Sequence, residues 1–118
     1  MNLRLTVVLI CLGVIVIQSC DHSLPEPEID PCAQTISFQN DVKPIINSSC
    51  ALSGCHNGDN GADKNWTVFT NFQGKRANVK DRITRPPGTP GHMPASGSIT
   101  NVQIQTIVCW VDQGGLNN

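Results

Sequence analysis

The chain has 118 residues, 39% of them hydrophobic and 14% charged, with a formal net charge of −1. Loss of a leader carrying Arg4 takes the balance to about −2, so neither nucleic acid nor an anionic surface is implied as a partner. Beyond the leader lie about a hundred residues, enough for one small domain with a thin core, a size at which disulfides, metals or cofactors usually supplement packing.

Met1-Asn2-Leu3-Arg4 is a short basic start, and Leu5 to Ile17 has no charge and Thr6 as its one polar hydroxyl. That layout predicts a signal peptide over residues 1–19. The apolar run falls short of the roughly 20 residues a bilayer-spanning helix needs. Ile17-Gln18-Ser19-Cys20 resembles the lipobox of bacterial lipoproteins, with an aliphatic residue, a small residue and then the cysteine that receives the lipid. The resemblance implies that Cys20 becomes the acylated first residue and holds the protein on a membrane of the cell envelope, facing the periplasm or the cell surface. Each buried methylene adds about 0.8 kcal/mol, so several acyl chains exceed the marginal binding of one. The plainer alternative is an ordinary secretory leader with an incidental Cys20.

Residues 20–36 read as a tether, because Pro25, Pro27 and Pro31 alternate with Glu26, Glu28 and Asp30 in a composition that favours an extended, hydrated chain. The globular domain is expected over residues 37–118. Ser37 before Phe38, Val42, Ile45 and Ile46 predicts an N-cap and a short amphipathic helix, which Pro44 limits to two or three turns. Asn57 to Asp63 consists of turn-formers, and so does Pro86 to Gly91. Between them Trp66, Phe69, Phe72, Ala77, Val79 and Ile83 suit short helical pieces, since Gly74 weakens any single long helix. Lys75, Arg76, Lys80, Arg82 and Arg85 then form a solvated basic face.

The last element is the clearest. Ser98 or Thr100 caps it, Gln103 stands three residues after Thr100, Val102, Ile104, Ile107, Val108, Trp110 and Val111 come at helical spacing, and Gly114-Gly115 ends it. With little period-two alternation and no internal repeat, the fold class is all-α.

Chemistry concentrates in Cys50-Ala51-Leu52-Ser53-Gly54-Cys55-His56. Two thiols can add to the two vinyl groups of one porphyrin, and a histidine beside the second cysteine is then carried beneath the ring to bind iron. A sixth ligand comes from Met93 in Gly91-His92-Met93-Pro94, whose neutral thioether opposite imidazole favours ferrous iron and raises the potential. His92 is the alternative sixth ligand, giving bis-histidine iron of lower potential.

Ser37-Phe38 with Asp41-Val42-Lys43-Pro44-Ile45-Ile46, then Cys50 to His56, Met93-Pro94, and Ile107 through Trp110-Val111 to Gly114 together resemble the short cytochrome c domains of bacterial lipoproteins. In particular they resemble the planctomycete-type group and related domains of Bacteroidetes-like bacteria. The resemblance spans nearly the whole domain and implies a small cytochrome c fold, short helices wrapped around one covalent haem c. It implies Cys50 and Cys55 as attachment sites, His56 as proximal ligand and Met93 as distal ligand. The expected function is electron transfer to and from redox partner proteins in the envelope. This sequence departs from the family in having four residues between the cysteines where two are usual, and Ser53-Gly54 can let the extra pair bulge. The family's packing of first helix on last also implies a Cys32–Cys109 disulfide, which leaves every cysteine of the mature chain with a partner.

Three rival readings remain. Cys32, Cys50, Cys55 and Cys109 can form two disulfides, in any of three pairings, within a haem-free interaction module. Cys50, Cys55, His56 and His92 offer sulfur and nitrogen ligands for tetrahedral zinc, although adjacent Cys55 and His56 converge on one ion awkwardly. His56 alone on iron would leave a position open for peroxide or a gas, an enzyme-like use that Met93 argues against. Trp66, Phe69 and Trp110 are expected in the core, with haem-edge packing as their alternative. Arg82 and Arg85 are candidates to pair with haem propionates, since guanidinium forks suit carboxylates.

Overall fold

A computed structural model describes residues 30–118; the leader 1–19, Cys20 and residues 21–29 of the tether lie outside the described residues. The described chain is helical. A π-helical turn at Phe38–Val42 runs straight into α1 at Lys43–Ser49, a single 3-10 turn comes next at Ala62–Lys64, and α2 at Phe69–Thr84 and α3 at Asn101–Asp112 complete the frame. No helix among the described residues is long and apolar enough to cross a membrane.

The first helix begins as expected, with the Ser37 hydroxyl accepting from the Asn40 amide. Its opening turn is wide because Pro44 has no amide hydrogen to give Asn40 and its ring crowds the preceding turn. The chain bonds five residues back instead, Val42 N–H to Ser37 O at 3.2 Å and Lys43 N–H to Phe38 O. Pro44 thus sits in the first turn of α1, where no amide partner is required.

α2 corrects the expectation of short pieces, for it runs sixteen residues unbroken through Gly74. A glycine inside a helix costs about 1 kcal/mol relative to alanine. The helix tolerates it because Phe72, Val79 and Ile83, one face at helical spacing, are all buried in the core. Burying side chains of this size contributes roughly 1.5–3 kcal/mol each, which outweighs the glycine.

α3 matches its sequence signals. Thr100 forms a full capping box with Gln103, donor and acceptor exchanged in both directions. At the other end Gly114 N–H reaches Val111 O and Gly115 N–H reaches Trp110 O, a Schellman ending that needs the left-handed φ of +99° at Gly114.

The core lies where the first helix, α2 and α3 meet. Phe72 stacks on Trp110 at 5.5 Å, Phe38 packs tilted against both with centroids 5.5–6.2 Å away, Phe69 sets its edge against Phe38 at 4.8 Å, and Trp110 is fully enclosed. Trp110 Nε1 donates to Leu116 O, so its polar edge is satisfied. The disulfide joins Cys32 to Cys109, as the resemblance implies. Residues 32–36, placed by sequence in the tether, are held on α3 as well: Gln113 donates to Cys32 O and Gln34 O and accepts from the Ile36 amide.

Candidate functional site

Beside this core opens a cleft of about 790 Å³, within the roughly 300–1,000 Å³ range of cofactor pockets. Its wall is made by Cys50, Cys55 and His56 from the loop after α1, Trp66, Val79 and Ile83 from behind, and Met93, Pro94 and Ile99 from the segment before α3. Two thiols, an imidazole and a thioether distant in sequence therefore share one cavity. Lys64, Lys75 and Arg82 also line it, with Asp63 the acidic residue among them.

The end of α1 places the first thiol. Cys50 caps the helix, its amide donating to Ile46 O at 2.9 Å, and the chain turns back so that His56 N–H reaches Cys50 O at 3.1 Å. Between them Cys55 N–H closes on Leu52 O, with Gly54 at φ +74° in the turn. The four intervening residues thus form a compact bulge. Asp59 fastens it: its Oδ2 accepts from Ser53 Oγ, Gly54 N–H and Asn57 Nδ2, while Asn60 Nδ2 donates to Gly54 O. By sequence Asp59 is one turn-former among several, with no role in the site. The sequence signal there, Asn57-Gly58-Asp59, marks only the local turn, in which Asn57 Oδ1 accepts from the Asp59 amide at 3.1 Å.

Those donors, Asn57 first and then Gly54, hold the Asp59 carboxyl below the ordinary carboxylate range. A depressed folded-state pKa means the stabilisation is complete above the ordinary value and is lost as pH falls through the lowered one. The Gly54 amide resonance should therefore hold its folded position down through the usual aspartate titration and shift only at lower pH, and in Asp59→Ala this acid step should vanish. A midpoint at or above that of free aspartate would remove Asp59 from this role.

Cys50 and Cys55 are both free thiols, the first half-buried and the second exposed. Burial, reinforced by the Cys55 sulfur, pushes the Cys50 thiol up to about 11, so it is protonated at neutral pH. Desolvation first, and Lys64 second, lower the His56 pKa, which favours the neutral imidazole that metal ligation requires. The His56 ring lies flat on Trp66, centroids 3.5 Å apart and planes 7° from parallel. Backbone pairing fixes this contact, Trp66 N–H donating to His56 O at 2.9 Å beside the Asn57–Asn65 bridge. Trp66 thus belongs to the cleft wall as much as to the core, whose Phe72 it meets edge-on at 5.5 Å. His56 Nδ1 is buried without a hydrogen-bond partner.

Met93 faces the cleft, whereas His92 does not line it and its Nδ1 sits 2.8 Å from Arg85 O. The four-ligand zinc set is therefore not assembled, and among the described residues no three His, Cys, Asp or Glu side chains converge on a metal position. The basic face of α2 is only partly solvated: Lys80 pairs with Asp112, Arg85 with Asp81, and Arg76 bonds Gln73 O.

Comparison with known proteins finds no matching family model, no matching curated protein and no matching solved structure. The likeness to lipoprotein cytochrome c domains accordingly rests on the residues themselves.

Proposed function

We propose that this protein is a mono-haem c-type cytochrome, carried on an envelope membrane by a lipid on Cys20 and passing electrons between redox partners without catalysing a reaction of its own. One observation carries the reading: Cys50, Cys55, His56 and Met93, separated by up to 43 positions in sequence, line a single largely apolar cleft of cofactor size. The residues present fit the group. Two unpaired thiols stand at the cleft where the haem-free alternative needs a second disulfide, and the His56 imidazole, its pKa lowered by burial, stands beside them.

Cys50 and Cys55 would hold the haem through thioether bonds, each formed by adding S–H across one vinyl group, so no oxidant would be needed. Haem bound in this way supplies the ferric–ferrous couple that stores one electron. The chain's own part would be to anchor the ring by Cys50 and Cys55, offer His56 and Met93 to the iron, and exclude water with Val79, Ile83 and Ile99. Covalent attachment also suits a thin core, since the cofactor then completes the packing that three short helices leave open.

Expression of the processed chain with and without a haem-attachment system tests the reading. The coexpressed protein should gain the mass of one haem and keep it through denaturation, and C50A/C55A should gain none. A colourless wild-type protein of unchanged mass from the competent host would discard the electron-carrier assignment in favour of the disulfide-stapled interaction module.

A further inference from the structure

The segment that brings Met93 to the cleft has no secondary structure of its own and is joined at four successive residues to the end of α2. Arg85 Nη1 donates to Pro90 O at 2.7 Å, Arg82 Nη1 to Gly91 O at 3.2 Å, His92 Nδ1–H to Arg85 O at 2.8 Å, and Met93 N–H to Arg82 O at 3.1 Å. All four bonds end on Arg82 or Arg85. Arg82 lies in the last turn of α2 and Arg85, three positions on, is the extended residue that follows it. Asp81 holds the second nitrogen of the Arg85 fork at 2.6 Å, which fixes the guanidinium in place.

Gly91 is matched to the same device. A Cβ there would lie 2.5 Å from Arg82 Nη1 and 2.6 Å from Arg85 Nη1, and its φ of +78° already disfavours a side chain. A side chain at Gly91 would therefore have to displace both guanidinium groups from the positions in which they bond the segment.

We infer that Arg82 and Arg85 are positioning residues, a two-armed clip that presents the Met93 sulfur to the cleft rather than a pair reserved for anionic groups of a ligand. The inference rests on the cytochrome reading for what Met93 does there; the clip itself concerns residues 82–93. A lysine at position 85 keeps the charge but not the fork, because one ammonium cannot reproduce the two planar donors that Arg85 gives to Pro90 O and Asp81. Without the clip the thioether spends less time in the cleft, and an external ligand competes with it more easily. Apparent affinity for that competitor rises in proportion to the population of the state in which the methionine is off the iron.

The test uses haem-loaded wild type, R82A/R85A, R85K and G91A, each checked for covalent haem by mass and for helix content by circular dichroism. Added imidazole is titrated against the methionine-to-iron charge-transfer band of the ferric protein. In R82A/R85A and G91A the band should weaken and imidazole affinity should rise at least about tenfold at unchanged helix content, with R85K failing to restore the wild-type value. Band and imidazole affinity unchanged in R82A/R85A would overturn the clip, and so would a shifted potential with both of these unchanged, which would return the arginines to the propionates. If wild type takes up no haem, the cytochrome reading fails by itself and the clip is judged on amide exchange at Met93. Exchange faster by about tenfold in R82A/R85A supports it, and unaltered protection sinks it.

Discussion

Replacing both members of the Cys32–Cys109 bridge, as C32A/C109A, should lower stability by about 4 kcal/mol, because the cross-link spans 77 positions and the loop-entropy model assigns that much to a closure of this length. Using the pair of alanines leaves no stray thiol to pair with Cys50 or Cys55. For a domain of this size each kcal/mol moves the melting temperature by roughly 4–8 °C, so calorimetry should read a drop on the order of 20 °C. The magnitude is large relative to a typical total of about 5–15 kcal/mol. The bridge is not the sole contact between residues 32–36 and α3, since Gln113 binds Cys32 O, Gln34 O and the Ile36 amide. Those bonds act only once the chain is folded, whereas the disulfide restricts the unfolded chain. A drop below about 5 °C would show that Gln113 and the core alone determine the placement of this segment.

The features legible in the sequence are those that local chemistry specifies. Thr100 with Gln103, the apolar spacing from Ile104 to Val111, and Gly114-Gly115 are signals within one helix, and α3 obeys them at both ends. Ser37 likewise marks the first helix. The unbroken course of α2 is not legible, because the penalty at Gly74 is local while the burial of Phe72, Val79 and Ile83 that offsets it comes from other helices. The same distinction runs through the site. Residue types and order point to Cys50, Cys55, His56 and Met93, and the chain does bring them to one cleft. The supporting contacts are invisible in sequence because they depend on loops folding back: Asp59 onto Ser53 and Gly54, Trp66 onto His56, Arg82 and Arg85 onto Pro90 and Gly91. A basic run on a helix reads as a solvated face until the next loop returns to cover part of it.

The loaded protein should lose its methionine-to-iron charge-transfer band in Met93→Ala and keep it in His92→Ala. Both side chains are half-buried neighbours, so proximity does not separate them; their directions do. Met93 lines the cleft with His56, while the His92 ring is turned to the carbonyl of Arg85. A carbonyl only accepts, so His92 Nδ1–H donates to it, and His92 is not part of the cleft wall. Loss of the thioether should also lower the reduction potential by a sizeable part of the roughly 0.8 V that axial ligands span, because methionine favours ferrous iron where water or a second nitrogen does not. His92→Ala removes one of four bonds on the Met93 segment and should move the potential far less. The opposite pattern, with the band absent from wild type and the spectrum altered only by His92→Ala, would make the iron bis-histidine. It would require the His92 ring to leave Arg85 O and the 90–93 segment to rearrange, since the backbone bond from Met93 to Arg82 now holds the sulfur, and not the imidazole, toward the site.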